Sequence, residues 1–215
     1  KYPWRAQRMI SKFLNLDPEK QERIINAALK QFAQKGYTQA STNEMVKEAE
    51  ISKGLLFHYF KNKQDLFLYL YDYSLELAMN EIFAKLDMNE RDMLERWKQV
   101  VVIKIELMHK HPELFQFLKA ANEDNAPEVE QALEMRKKAT IADTYGRMLQ
   151  DMDTSKFKDD VDTARATQII LWTLEGYSNR VQEQIRAIPL DQIDIDDMVK
   201  EIDQYLELLE QAFYK

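Results

Sequence analysis

The sequence predicts an all-α protein: a small N-terminal helical domain followed by a larger helical one. Glycine and proline, which break helices, number only four and five in 215 residues, while Leu, Glu, Lys, Gln, Met and Ala fill the intervals. Apolar residues recur at three- and four-residue spacing behind recognisable capping residues. Charge divides in the same way. Residues 1–65 hold 12 Lys+Arg against 7 Asp+Glu, a balance of +5, and residues 66–215 hold 18 against 30, a balance of −12. A basic head on an acidic body suits a chain that approaches phosphates at one end only.

The elements follow in order. Residues 1–16 carry Lys1, Arg5, Arg8 and Lys12 and no acid. They read either as a disordered tail or as a basic arm, and Met9 is a candidate native start that would make residues 1–8 an appended remnant. Asp17 followed by Pro18 starts a helix, with an acceptor at the N-cap and proline in the first turn. Its stripe is Ile24, Ile25, Ala28, Leu29 and Phe32, and Gly36 stops it. Ser41 and Glu44 have capping-box spacing and open a short helix over 42–50. Ser52 caps another over 53–60, and Asn62 a fourth that runs to about Leu86. Further helices are expected over 90–109, 112–122, 127–151, 159–187 and 193–213, with Pro112 and Pro127 in first turns and Pro189 in a connection.

Several classes of protein are excluded or disfavoured. No apolar run reaches the ~20 residues of a membrane span, and no secretory signal pattern opens the chain, so a cytoplasmic protein with no membrane partner is expected. The absence of cysteine removes disulfides, thiolate nucleophiles and cysteine zinc sites. His109, His111 and Glu113 look metal-like, but residues two apart on a helix face apart and Pro112 interrupts them. No nucleophile elbow, P-loop or dinucleotide fingerprint is present. No catalytic residue, metal or cofactor is therefore expected.

Two short helices across a tight turn, backed by a longer one, form a helix-turn-helix, whose second helix enters the major groove. On that second helix Leu56 and Phe60 take the core side. Lys53, Gly54, Leu55, Phe57 and His58 are left for the other: a donor for guanine, apolar contacts for thymine methyls, and a hydrogen-bonding imidazole. Gly54 costs roughly 1 kcal/mol of helix stability against alanine, and close approach of backbone to DNA is the expected compensation. Tyr59, Lys61, Lys63 and Thr42 are candidate phosphate contacts. The stretch FAQKGYTQASTNEMVKEAEISKGLLFHYFKNKQDLF, residues 32–67, resembles the DNA-binding domain of the TetR family of bacterial transcriptional regulators. Glu50 stands where that family commonly has glycine, which implies a left-handed backbone carried by a side chain. By the resemblance, the DNA-contacting positions are Thr42, Asn43, Ser52, Lys53, Gly54, Leu55, Phe57, His58, Tyr59 and Lys63.

In the body, Ile195, Met198, Val199, Ile202, Tyr205, Leu206, Leu209, Ala212 and Phe213 make one continuous stripe. Ala166, Ile170, Thr173, Gly176, Tyr177 and Arg180 offer a companion face. Periodicity alone leaves these as core or as interface. The resemblance implies a homodimer joined through them, with Ile170, Thr173, Gly176, Tyr177, Ile202, Tyr205, Leu206, Leu209 and Phe213 at the contact. Twofold symmetry then implies a pseudo-palindromic operator in double-stranded DNA. The resemblance also implies an effector pocket, for which the methionines and aromatics of the body are the candidate lining: Tyr71, Met79, Phe83, Trp97, Met108, Phe115, Met135, Tyr145, Met148 and Trp172. A dimeric, ligand-responsive DNA-binding repressor with an apolar or amphipathic effector is the expectation, with residues 17–65 as the DNA-binding domain and 66–215 as the effector and dimerisation domain. The alternative is a helical ligand-binding or protein-interaction module that does not read DNA.

Overall fold

The computed structural model describes residues 11–184 and 195–215, and among these the chain is helical, with one isolated bridge between Phe157 and Tyr214. Lys1, Arg5, Arg8, Met9, Pro189 and the expected helix start at Ile193 lie outside the described residues. No described helix is long and apolar enough to cross a membrane. The helices are α1 Pro18–Gln39, α2 Thr42–Glu48, α3 Lys53–Tyr59, α4 Lys63–Lys85, α5 Met93–Lys110, α6 Pro112–Glu123, α7 Glu130–Met148, α8 Thr163–Gln184 and α9 Ile195–Phe213.

The chain divides into two compact units. The first runs to Met79 and takes in His111–Ile141. Its helix starts are those the caps imply: the Asp17 carboxylate accepts from the amides of Glu19 (3.0 Å) and Lys20 (3.4 Å), Ser52 Oγ from Leu55 (3.1 Å) and Asn62 Oδ1 from Asp65 (2.7 Å). Each such cap is worth about 1 kcal/mol. Glu50 has φ 55°, the left-handed backbone expected at the turn between α2 and α3. Gly36 interrupts α1 with φ 64°, and one further helical turn follows it. The glycine answers two demands here. Its φ is unfavourable for an L side chain, and a Cβ would sit 3.2 Å from Asp124 Oδ2, which accepts the next amide, Tyr37 N–H, at 2.5 Å.

Asp124 lies just beyond α6, and α6 packs along α1, so a helix of the expected body shares the core of the head. Phe117 of α6 meets Phe67 and Phe32 at 5.4 Å and 6.2 Å between ring centroids. The core also begins earlier than Asp17. A helical turn over 11–14 sinks Phe13 to zero exposure, edge-on to Tyr59 and Tyr69 and tilted against Phe60 at 5.1 Å. Of the expected tail, residues 11–16 are therefore folded structure.

The second unit comprises Asn80–Lys110 and Ala142–Lys215. Its core joins Met93 and Leu94 of α5 to Ala166, Ile170 and Leu174 of α8 and Ile202, Leu206 and Leu209 of α9. Two starts differ from expectation because nearer aspartates cap better: Asp92 accepts from the amides of Leu94 (2.8 Å) and Glu95 (3.2 Å), and Asp162 from Arg165 (3.1 Å). Pro127 is likewise not in the first turn of α7. Asp124 Oδ1 takes the Ala126 amide at 2.9 Å, a turn occupies residues 127–129, and α7 begins at Glu130. Arg96, fully buried, has no carboxylate partner among the described residues and spends its fork on carbonyls: Nη1 donates to Met148 (2.9 Å) and Gln150 (3.0 Å), Nη2 to Met88 (3.1 Å) and Glu90, and Nε to Glu90 (2.8 Å). It ties the end of α7 to the start of α5 and satisfies backbone acceptors that burial would otherwise strand. The C-terminus is pinned by Lys158 N–H to Phe213 O and Lys215 N–H to Lys156 O, both 2.9 Å.

Candidate nucleic-acid interface

Helix α3 presents two faces set by burial. Leu56 and Phe60 lie in the core, as their spacing implies, while Ser52, Lys53, Gly54 and His58 are exposed and Leu55 and Phe57 half-buried beside them. The exposed face is a row of donors and small apolar surface that, among the described residues, only Lys12 approaches. Gly54 has no left-handed φ, and a Cβ there would meet only Ser52 Oγ at 4.0 Å, so nothing among the described residues requires glycine. Among the described residues Lys53 and Lys61 have no carboxylate partner, whereas Lys30 is held by Glu48 at 2.7 Å, tying α1 to α2. At the N-terminus of α2, Thr42 is half-buried and Asn43 exposed, just past the Ser41 cap, whose Oγ accepts the Glu44 amide at 3.4 Å.

Two of the expected phosphate contacts sit differently. Tyr59 is a core residue, 6% exposed, because its ring fills the space against Phe13. Lys63 is half-buried, and its Nζ donates to the carbonyls of Thr38 (3.0 Å) and Ala40 (3.4 Å) and stands 4.7 Å from the Tyr37 ring centroid. It thus closes the end of α1 over the hydrogen-bond acceptors that a helix terminus leaves open. In the other direction, Lys12 Nζ approaches His58 Nε2 at 3.3 Å, placing a cation from outside the motif against α3. Phe13 brings it there, packed against Tyr59, Phe60 and Tyr69.

The body residues separate by unit. Tyr71, Met79, Phe115 and Met135 belong to the first, and Phe83, Trp97, Met108, Tyr145, Met148 and Trp172 to the second. Tyr71 is buried and donates to Asn122 Oδ1 at 3.2 Å, and burial first, then the Asp72 charge, pushes its phenol up to about 12. In the second unit Trp97 and Tyr145 meet edge-on at 5.8 Å, burial followed by the Glu175 charge raises the Tyr145 phenol, and the Arg147 guanidinium lies over Phe83. Met135 and Trp172 are 68% and 63% exposed.

The expected dimer contact needs a correction. Ile170, Ile202, Leu206 and Leu209 are buried in the core of one chain, where α8 and α9 pack together, and are unavailable to a partner. Tyr177, Tyr205 and Phe213 are partly buried beside them; the Tyr177 hydroxyl donates to Met198 O at 2.8 Å. Arg180 bridges from α8 to Glu201 at 2.5 Å. What remains outward is Ile169, Trp172, half-buried Thr173 and exposed Gly176 on α8 and Leu208 on α9.

A short capped helix with an exposed face of Lys53, Gly54 and His58, set across a tight turn from α2 and backed by α1, is a helix-turn-helix DNA-binding domain. The family model described as bacterial regulatory proteins, tetR family, matches residues 24–70, so over this segment the chain is similar to that family. It is 30% identical over 123 residues to the uncharacterised HTH-type transcriptional regulator YuxN of Bacillus subtilis, a match covering 57% of this chain and 42% of that protein, so less than half of the relative's length is spanned. The fatty acid metabolism regulator protein of the same organism is 24% identical over 164 residues, 71% of this chain and 78% of that one. In fold the chain is similar to a TetR family transcriptional regulator from Chloroflexus aurantiacus, with a TM-score of 0.63 at 24% identity over 95% of this chain and 98% of that one.

Proposed function

We propose that the protein is a cytoplasmic, dimeric, ligand-responsive transcriptional regulator, a repressor released from a pseudo-palindromic operator by a small apolar or amphipathic effector. Residues 17–65, extended by Lys12 and Phe13, do the reading, and residues 66–215 dimerise and bind the effector. The observation that carries this reading is α3: its core face is complete while its other face displays Lys53 and Gly54, for which no intramolecular use exists among the described residues, beside exposed His58. Lys53 and His58 supply hydrogen bonds to base edges, Leu55 and Phe57 meet thymine methyls, and Asn43, Thr42 and Lys61 fix register on phosphates.

Dimerisation uses the outward faces of α8 and α9, where Ile169, Trp172 and Leu208 are 42%, 63% and 62% exposed. A second copy sets two α3 helices in successive major grooves, with half-sites about 34–36 Å apart. An effector that binds better to a form with another spacing shifts the population away from DNA by its differential affinity and no more. Regulation of this kind needs no catalytic group, and the relatives named above are regulators.

The test is a duplex titration at several salt concentrations, with fragments selected from random sequence set against scrambled ones. Counterion release by the basic face gives a log-log slope of about −0.9 per neutralised phosphate, and sequence preference persists as salt rises. A shallow slope with no preference for any duplex would instead favour a ligand-binding or protein-interaction module.

A further inference from the structure

The connection between α6 and α7 reaches both ends of the reading motif formed by α2 and α3. Ahead of α2, the left-handed turn at Gly36 (φ 64°) redirects the chain, and Tyr37 N–H then donates to Asp124 Oδ2 at 2.5 Å. Lys63 Nζ holds the carbonyls of Thr38 (3.0 Å) and Ala40 (3.4 Å) in the same segment. Ser41, the cap of α2, follows directly, so this segment sets where α2 begins. Past α3, Gln64 in the first turn of α4 donates through Nε2 to the carbonyl of Glu128. Asp124 and Glu128 thus belong to one loop and lie 87 and 64 positions along the chain from the groups they hold. The loop is itself fixed. Asp124 Oδ1 accepts the Ala126 amide at 2.9 Å, Ala126 O accepts the amides of Val129 and Glu130 at 3.0 Å, and Ala126 and Val129 are buried in the core of the first unit. One carboxylate oxygen shapes the loop while the other holds the head. The motif does not need this contact to form its helices, because Ser41, Ser52 and Asn62 cap them locally. What the contact governs is placement.

We infer that the loop over 124–129 braces the reading motif at its entry and exit, and that Asp124 is a positioning residue for DNA recognition rather than a contact to DNA. The inference rests on the DNA-reading function proposed above. Base-edge hydrogen bonds need heavy-atom distances of about 3 Å, so a recognition helix displaced by about an ångström loses them. Attraction to phosphates extends over about 10 Å and tolerates the same displacement. Slackening the brace should therefore lower affinity for the preferred sequence and leave non-specific binding in place. The charge of Asp124 makes the sign of the effect informative. By charge alone, removing an acid from the unit that carries the basic head tightens binding to any duplex.

Asp124→Ala in the full chain tests it, titrated with a duplex selected from random sequence and with a scrambled one. The selected duplex should bind the variant about ten-fold more weakly than the wild type, against the direction that charge dictates. Its salt slope should stay the same, because no phosphate contact is lost, and the scrambled duplex should bind at least as tightly as before. Asp124→Asn has the same shape and keeps one of the two acceptor oxygens, so it should show a smaller loss of the same sign, and it carries the comparison if Asp124→Ala fails to fold. Amide hydrogen exchange on the free protein gives a readout without DNA: exchange over 37–60 should quicken in both variants while α8 and α9 exchange as in the wild type. The proposal is overturned if the selected duplex binds the folded variants as tightly as the wild type or more tightly, or if both duplexes weaken together. Exchange that is unchanged over 37–60, or that quickens throughout the chain, also overturns it. A wild type that prefers no duplex removes the DNA-reading function instead, and faster exchange confined to 37–60 then still establishes the brace.

Discussion

At the scale of single residues, Gly54 separates folding from function most cleanly. Nothing within 4 Å except Ser52 Oγ would resist a Cβ at this position, and its φ is ordinary, so Gly54→Ala should stabilise the chain by up to ~1 kcal/mol through helix propensity alone. If α3 lies against DNA at this point, the same methyl group should weaken operator binding. A thermal melt and a duplex titration on one variant read both effects, and a gain in stability with unchanged binding would place the backbone of Gly54 away from the nucleic acid. Residues of this kind were legible in the sequence because their cause is local: Asp17, Ser41, Ser52 and Asn62 act on amides within three residues, and Glu50 takes its left-handed backbone from the turn it belongs to. Phe13, Lys63 and Arg96 were not legible. Each is fixed by partners far along the chain: rings of Tyr59 and Tyr69, carbonyls of Thr38 and Ala40, and carbonyls of Met148 and Gln150. Spacing rules carry no information about such partners.

At the scale of elements, periodicity identified the apolar stripes of α8 and α9 but not what covers them. The continuous stripe through Ile202, Leu206 and Leu209 is the richer in apolar residues and is the intramolecular seam. The sparser outward set, Ile169, Trp172 and Leu208, is exposed among the described residues, and on the dimeric reading proposed above a large exposed tryptophan is a strong anchor for a second subunit. The two faces predict opposite phenotypes. Trp172→Glu or Leu208→Glu should leave the helix content and melting of the monomer intact and yield a species of half the mass in light scattering. Leu206→Glu should destabilise the fold itself by ~3 kcal/mol or more, since it buries a carboxylate in the seam. A dimer that survives Trp172→Glu would shift the interface to another face. The same logic explains why the body was harder to read than the head: a half-turn error in choosing the inward face exchanges core for interface, and only the neighbouring helix decides which is which.

For the molecule as a whole, alkaline pH tests both compact units together through their buried phenols. In the first unit, burial is the leading cause that raises Tyr69 and Tyr71 to about 12, helped by Tyr73 and Asp72 respectively. In the second, burial and then the Asp92 charge raise Tyr214 further, and its hydroxyl donates to Asp92 Oδ1 at 3.3 Å. For an acid whose folded pKa lies above its unfolded value near 10, the unfolded chain loses the proton first. The stabilisation is therefore complete below pH 10 and declines as pH climbs from there toward the folded values, by ~3 kcal/mol for each phenol raised by about two units. Of the ten tyrosines in the sequence, none of those described is exposed, and Tyr69, Tyr71 and Tyr214 are buried. These buried phenols should ionise only in a cooperative step above about pH 10 that coincides with loss of helix. Absorbance at about 295 nm recorded alongside ellipticity distinguishes the cases, because phenol ionisation follows its local surroundings. A single ionisation step near pH 10 with the helices intact would mean that these side chains are open to solvent and that neither aromatic core closes as described.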